Sequence, residues 1–160
     1  MTDTSVARLA EMMSPRSVAI VGASDNPGRI GGRPLAYLIN EGFAGDIYPV
    51  NPTRETVQGL KAWPSLLDID GHIDTVVIAV PAARVLQTVK DCVSKDVLGC
   101  IILSSGFAEM GEEGAKAQEA LSEIARDTGI RLTGPNCLGS MNLHNNFLAT
   151  FSGAPSLQPP

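Results

Sequence analysis

Aromatic residues, paired cysteines and excess positive charge are all scarce in this sequence, and each shortage excludes a class of function. Aromatic side chains make up 4% of the 160 residues, too few for a surface that stacks the bases of a single strand. The net charge of −5 argues against a nucleic-acid partner, because a polyanion is bound by a basic face. The sequence also lacks a long apolar run and a basic-then-apolar leader. We therefore expect a cytoplasmic protein that binds neither nucleic acid nor a membrane.

The few cysteines and histidines predict neither a metal site nor a catalytic centre. Cys92, Cys100 and Cys137 are widely spaced and form no CxxC pair, so we expect reduced thiols. No cluster of carboxylates and imidazoles has the spacing of metal ligands. No histidine is placed by sequence to activate Cys137 as a nucleophile, and we interpret this thiol as a packing residue.

Short apolar runs that end at turn residues alternate along the chain with segments of helical periodicity. Strands are predicted at 17–21, 46–50, 75–80, 99–103 and 130–132. Helices are predicted at 5–13, from Pro34 to a stop at Gly42, after Pro81 through Val85, Leu86, Val89 and Val93, and at 112–127. The stretch 54–71 is predicted to be mostly loop with a short helical turn near Leu66. Because Pro49 lacks an N–H group, the second strand is expected to end early or to lie at an edge.

This alternation predicts an α/β, Rossmann-like fold with a doubly wound, mostly parallel sheet in a three-layer αβα arrangement. Right-handed βαβ units place helices on both faces of such a sheet. We expect one domain over residues 16–151, preceded by an N-terminal helix within 1–15 and followed by a linker or tail over 152–160. Ligands bind beyond the carboxyl ends of parallel strands. The unusual loops lie at those ends, at 22–32, 50–54, 80–82, 104–107 and 134–139.

The loop after the first strand has the composition of a phosphate-binding loop. Residues 22–32 contain four glycines in eleven positions and lead into a helix whose free amides can bind an anion. The loop has neither the strict GxGxxG spacing nor the Gly-Lys-Ser/Thr of a P-loop, so a plain strand-to-helix turn is the alternative. Arg29 or Arg33 could pair with a phosphate. We expect a glutamate at Gly31 to weaken binding without unfolding the domain.

The residues at the end of the second strand bear on the choice of nucleotide. Enzymes that prefer NAD usually place an acid there to bind the ribose 2′-hydroxyl, whereas this chain continues Asn51-Pro52-Thr53-Arg54. Arg54 suits a phosphorylated ribose, such as the 3′-phosphate of coenzyme A or the 2′-phosphate of NADP, and a surface charge is the equal alternative. The missing acid therefore argues against NAD.

Motifs spread along the chain resemble one known family. The matching stretches are VAIVGAS (18–24), YPVNP (48–52), VVIAVPA (76–82), SSGFAEMGEEG (104–114) and GPNCLG (134–139). Their order and spacing resemble the CoA-binding domain of the ADP-forming acyl-CoA synthetases, which are related to the succinyl-CoA synthetase α subunit. The resemblance covers about residues 12 to 150.

The resemblance implies a coenzyme A site assembled from all of these loops. The implied phosphate-binding residues are Gly22, Ser24, Asn26, Gly28, Arg29, Ile30 and Gly31; those flanking the adenosine are Val50, Asn51 and Pro52; those along the pantetheine are Val80, Pro81, Ser104, Ser105 and Gly106; those near the thiol are Asn136 and Cys137. In the related α subunits a lysine commonly follows the second-strand proline. Here Thr53 and Arg54 stand there, so the cationic contact requires that Arg54 replace the lysine.

The same resemblance implies a role as the CoA-binding part of an ADP-forming acid–CoA ligase that is inactive alone. Such enzymes pass phosphate through a histidine on another domain and use an ATP-grasp region, and neither His72 nor His144 stands in the phosphohistidine context. The expected partners are coenzyme A or acyl-CoA and the remaining ligase domains. A CoA-binding region of a protein acetyltransferase, or a stand-alone domain that senses CoA or NAD(P), remains the alternative.

Overall fold

Four helices and nine strands make up the computed structural model, which describes residues 3–153. The helices are α1 (Asp3–Met13), α2 (Arg33–Asn40), α3 (Ala82–Ser94) and α4 (Glu112–Thr128), and the strands are β1 (Ser17–Val21), β2 (Asp46–Val50), β3 (Thr56–Val57), β4 (Leu60–Lys61), β5 (Thr75–Ile78), β6 (Gly99–Ile102), β7 (Arg131–Thr133), β8 (Gly139–Asn142) and β9 (Phe147–Thr150). Short 3-10 turns lie at Leu66–Asp68 and Ala108–Met110. Residues 154–160, which carry most of the expected tail, lie outside the described residues.

The central sheet has five parallel strands in the order β2-β1-β5-β6-β7, and it confirms the predicted α/β fold. The chain runs from β1 outward to β2 and then returns to β5 on the other side of β1. The direction of strand addition therefore reverses between β1 and β5, and such a switch point is where open α/β sheets bind ligands. β2 lies at an edge of the sheet, as its Pro49 predicts.

Alternate residues of the central strands supply two hydrophobic cores, one on each face of the sheet. Side chains such as Val76, Ile78 and Ile102 pack against α3 and α4 on one face. Their neighbours in sequence, such as Val77 and Ile101, pack on the other face with α2, the end of α1 and β9. Because helices cover both faces of the sheet, both faces of each central strand are apolar, and the strands form continuous hydrophobic runs in the sequence.

Two small antiparallel hairpins add to the predicted architecture. β3 and β4 form a hairpin within the stretch expected to be loop, and β8 and β9 form a second hairpin after the tight loop at 134–139. The buried Phe147 and Ala149 of β9 extend the core against α2. Strands of two to four residues give little periodicity, so sequence patterns alone miss them.

Two of the central strands end earlier than predicted. β5 ends at Ile78 and β6 at Ile102, although the apolar runs continue to Val80 and Leu103. Val80 and Leu103 stay buried, whereas Ala79 is half-buried. The N–H groups of Ala79 and Leu103 still donate to the carbonyl oxygens of Val21 and Ile78, at 2.9 and 3.0 Å, so the parallel hydrogen bonding continues one residue beyond each strand. Within residues 3–153, no helix combines the length and apolar character that crossing a bilayer requires.

Candidate functional site

The glycine loop begins with a close approach between the ends of β1 and β5. Gly22 has φ +90°, and a Cβ atom there would lie 2.3 Å from the carbonyl oxygen of Ala79. The N–H groups of Gly22 and Ala23 both donate to the carbonyl oxygen of Val50, at 3.1 and 3.2 Å. Only glycine fits this position, because the loop crosses the switch point in contact with both neighbouring strands.

Gly31 is required by the packing of the loop itself. A Cβ atom at this residue would lie 2.0 Å from the carbonyl oxygen of Gly22. The substitution Gly31→Glu, expected to weaken binding without unfolding the domain, would therefore also force the loop backbone to shift. Any side chain at Gly31 displaces the backbone at Gly22, so this substitution does not isolate ligand binding from loop distortion.

The polar side chains of the loop hold its own backbone. Ser24 Oγ accepts a hydrogen bond from the N–H of Asn26 at 3.2 Å, and Asn26 Oδ1 accepts one from the N–H of Gly28 at 2.8 Å. The N–H groups of Asp25, Ile30 and Gly31 have no acceptor within residues 3–153. These amides are the donors that remain for an anion, as the position before a helix predicts.

A cleft of about 540 Å³ opens beside this loop at the switch point. It is lined by Gly22, Ser24, Asn26, Arg29, Ile30, Gly31, Asn51 and Arg54, all of them predicted site residues, and by Ala23, Asp25 and Ala79. Arg33, the other candidate for a phosphate contact, instead donates to the carbonyl oxygen of Phe151 at 2.8 Å. The loop therefore offers Arg29, and not Arg33, to the cleft.

An ion pair joins the glycine loop to the end of β2. Arg54 Nη1 lies 2.6 Å from Asp25 Oδ2, and both side chains are substantially exposed. Asn51 Nδ2 also donates to the carbonyl oxygen of Ala23 at 2.9 Å, so a second contact joins the same two segments. The structure thus brings a carboxylate to the end of β2. Sequence reasoning missed it because Asp25 belongs to the preceding loop.

Three of the eight residues expected along the adenosine and pantetheine lie in a narrower, adjoining cleft. This cleft of about 100 Å³ is lined by Val50, Pro52 and Val80 together with Gly22, which the two clefts share. Pro81 is exposed and caps the start of α3. The two clefts adjoin at Gly22, and the narrower one also contacts Arg84 and Thr88 of α3.

The loop after β6 is tied to its neighbours by hydrogen bonds. The buried Ser104 donates from its hydroxyl to the carbonyl oxygen of Val80 at 2.6 Å, and its own carbonyl accepts from the N–H of Asn136 at 2.9 Å. Ser105 is exposed. The N–H of Gly106 donates to Glu109 Oε1 at 2.6 Å, and this bond lowers the pKa of Glu109. The three predicted residues of this loop therefore continue the edge, outside the lining of either cleft.

Asn136 and Cys137 stand at the end of β7, beyond the two clefts. Asn136 is exposed and has a left-handed φ of 53°. Cys137 is half-buried, its Sγ lies 3.3 Å from the carbonyl oxygen of Ile102, and burial raises the pKa of its thiol. A thiol with a raised pKa is a poor nucleophile at neutral pH. The half-buried position of Cys137 is that of a packing residue beside the carboxyl edge of the sheet.

A third cleft of about 590 Å³ lies between α4 and β7, at the far edge of the sheet. Its lining comes from α4 and from the segment 129–135. We place the candidate site at the switch point instead, because there the glycine loop, the available amides and the ends of β1, β2 and β5 converge. Within residues 3–153, no cluster of histidine, cysteine and carboxylate side chains could hold a metal ion.

The fold and the cleft define a nucleotide-binding α/β domain with the flavodoxin-like strand order. Residues 16–142 match the sequence model of a family described as "CoA binding domain". The chain is therefore a member of the CoA-binding domain family. The resemblance inferred from the sequence motifs is confirmed, and coenzyme A is confirmed as the cofactor.

Two ADP-forming acetate–CoA ligases are similar in sequence to most of this chain. An ADP-forming acetate–CoA ligase II of Archaeoglobus fulgidus is 40% identical over 98% of this chain and 23% of its own length. The α subunit of the ADP-forming acetate–CoA ligase II of Pyrococcus furiosus is 44% identical over 86% of this chain and 30% of its own length. The chain thus spans less than a third of the length of either relative.

A solved structure shows the same fold. An acetyl-coenzyme A synthetase of Candidatus Korarchaeum cryptofilum, in complex with phosphate and ADP, superposes with a TM-score of 0.84 at 36% identity. The match covers 89% of this chain and 30% of that chain.

Proposed function

We propose that this domain binds coenzyme A along the carboxyl edge of its sheet and supplies that binding to an ADP-forming acid–CoA ligase. One observation carries the proposal. Eight of the residues that the sequence assigned to the site line a single cleft at the switch point. The family membership and the ligase relatives support coenzyme A as the occupant.

In the proposed pose, the phosphates and the adenosine of coenzyme A lie between the glycine loop and the end of β2. The open amides of the glycine loop and the guanidinium of Arg29 bind the pyrophosphate. Val50, Asn51 and Pro52 flank the adenosine, and Arg54 donates to the 3′-phosphate. Because the guanidinium has five N–H donors, Arg54 can bind this phosphate and keep a hydrogen bond to Asp25.

The other end of coenzyme A continues toward β6 and β7. The pantetheine passes Val80 and Pro81 and reaches the loop at Ser104, Ser105 and Gly106. The thiol then lies near Asn136 and Cys137. In this pose the domain holds and orients coenzyme A, and its own residues carry out no covalent step.

The remaining chemistry is assigned to other ligase domains. His72 pairs with Asp74 at 2.9 Å beside the amino ends of the strands, opposite the cleft. His144 lies in the turn between β8 and β9, where its N–H donates to Asn142 Oδ1 at 3.1 Å. Neither lines the cleft, so we propose that acyl-phosphate formation and phosphohistidine transfer occur on partner domains. We assign residues 16–151 to the CoA-binding domain.

Calorimetric titration of the purified 160-residue chain tests this proposal. Coenzyme A, dephospho-CoA, NADP and NAD are titrated under one set of conditions. We expect coenzyme A to bind more tightly than dephospho-CoA, with no heat from either dinucleotide. Binding of a dinucleotide without coenzyme A would overturn the proposal. Equal affinity for coenzyme A and dephospho-CoA would overturn the Arg54 contact alone.

A further inference from the structure

The β3–β4 hairpin lies against the glycine loop. Its turn consists of Gln58 and Gly59, with φ angles of 48° and 81°, and two consecutive positive φ angles are those of a type I′ turn. Gln58 is half-buried and is not among the residues that line the 540 Å³ cleft. The hairpin therefore contacts the loop from outside the cleft.

Three hydrogen bonds connect Gln58 to the loop. Its Nε2 donates to the carbonyl oxygens of Ser24 and Gly32, each at 2.8 Å. Its backbone N–H donates to Asp25 Oδ1 at 2.7 Å. A single residue thus joins both ends of the segment from Ser24 to Gly32, which holds the amides that have no acceptor within residues 3–153.

The planarity of the peptide bond gives these contacts a direction. The carbonyl of Ser24 and the N–H of Asp25 belong to one peptide unit and point to opposite sides of it. Because Gln58 binds the carbonyl, the N–H of Asp25 points to the other side of this peptide unit, away from the Gln58 amide. Ser24 and Asp25 both line the cleft. The carboxylate of Asp25 is restrained as well, since its two oxygens bond to Gln58 and Arg54.

We propose that Gln58 is a positioning residue that aims the amide of Asp25 at a phosphate of coenzyme A without touching the ligand itself. The inference rests on the proposed coenzyme A function of the cleft. It adds a role for a residue outside the cleft and a function for the hairpin. The hairpin acts as a brace that fixes an anion-binding loop.

The substitution Gln58→Asn separates positioning from folding. Asparagine is favoured in type I′ turns and keeps the backbone N–H that bonds to Asp25, but its side chain is too short to reach both carbonyls. We expect coenzyme A to bind at least about tenfold more weakly, as for a lost hydrogen bond to a charged group. We expect the thermal midpoint to change by less than about 3 °C, since turn preference offsets the lost contacts.

Gly59→Asn is the matched control. Gly59 has φ +81°, a Cβ atom added there would meet nothing within 4 Å, and asparagine tolerates this conformation. This variant changes the other residue of the turn and leaves the Gln58 side chain in place. We expect its affinity for coenzyme A to match that of the unaltered chain. Equal weakening in both variants would overturn the role of Gln58, because it would show a general effect of the turn.

Amide hydrogen exchange supplies a readout that needs no ligand. In Gln58→Asn we expect residues 24–32 to exchange faster, while the buried strand β5 keeps its protection. Unchanged exchange in the loop, or unchanged affinity for coenzyme A, would overturn the inference while coenzyme A binding by the unaltered chain still stands. Failure of the unaltered chain to bind coenzyme A would instead overturn the proposed function, and this inference with it.

Discussion

At the amino edge of the parallel sheet Asp74 is buried, whereas at the carboxyl edge Asp25 lies in an open cleft; their side chains are 5% and 42% exposed. The carboxylate of Asp74 accepts from the N–H of Arg16 at 2.7 Å and lies 2.9 Å from His72 Nε2. Asp25 is joined to Arg54 and Gln58 beside amides with no acceptor within residues 3–153.

This difference separates polar groups that stabilise the fold from polar groups that are available to a ligand. A buried carboxylate must have its hydrogen bonds satisfied inside the protein, so its partners are fixed. Charges in an open cleft are solvated and can exchange partners at little cost. Substitutions at the amino edge should therefore alter stability, and substitutions at the carboxyl edge should alter binding.

The largest effect is expected for Asp74→Ala. Loss of the carboxylate leaves the N–H of Arg16 without its buried acceptor, and we expect the free energy of unfolding to fall by about 3 kcal/mol. Urea denaturation measures this change, and calorimetry on the folded variant should give an unchanged dissociation constant for coenzyme A. Asp70→Ala, which removes an exposed carboxylate nearby, is the control. A similar small loss in both variants would remove the distinction between the two edges.

Arg54→Gln should show the opposite behaviour. We expect coenzyme A to bind about tenfold or more weakly, because a charge-assisted contact to the 3′-phosphate is lost, while dephospho-CoA is affected little. The free energy of unfolding should change by less than about 1 kcal/mol, since the Arg54–Asp25 pair is exposed.

Arg126→Gln is the matched control for Arg54→Gln. Arg126 pairs with Glu119 at 2.7 Å on α4, and it is about as exposed as Arg54. Its removal should leave both affinities unchanged. If Arg54→Gln weakens the binding of coenzyme A and of dephospho-CoA equally, Arg54 does not recognise the 3′-phosphate.

The sequence predicts the strands of the sheet better than it predicts the side-chain contacts between the loops that follow them. Apolar runs such as 17–21 and 75–80 predict the parallel sheet, and glycine content marks the loop after β1. Eight site residues converge because the carboxyl ends of parallel strands share one edge. The pairing of Asp25 with Arg54 joins residues far apart in sequence, and no local pattern encodes it.

The β3–β4 hairpin shows the same limit. Its turn signal is Gln58-Gly59, which is weaker than the Asn-Gly or Asp-Gly pairs that mark type I′ turns. Its strands have two residues each, so alternation cannot be recognised. The contacts from Gln58 to the glycine loop arise only once β2 and β1 are paired, and they are therefore a property of the tertiary structure.

The smallest effect is expected for the contact of Glu109 in the loop after β6. It tests whether polar groups of this loop, like those of the cleft, contribute little to stability. The N–H of Gly106 lowers the pKa of this exposed carboxylate, so the contact is strongest when Glu109 is ionised. Its contribution is present above the ordinary carboxyl pKa and is lost as the pH falls through the lowered value. Amide exchange at Gly106, corrected for the intrinsic pH dependence, should therefore lose protection in acid. Glu109→Gln should remove this pH dependence without a measurable change in stability, whereas persistence of the acid response would assign it to another group.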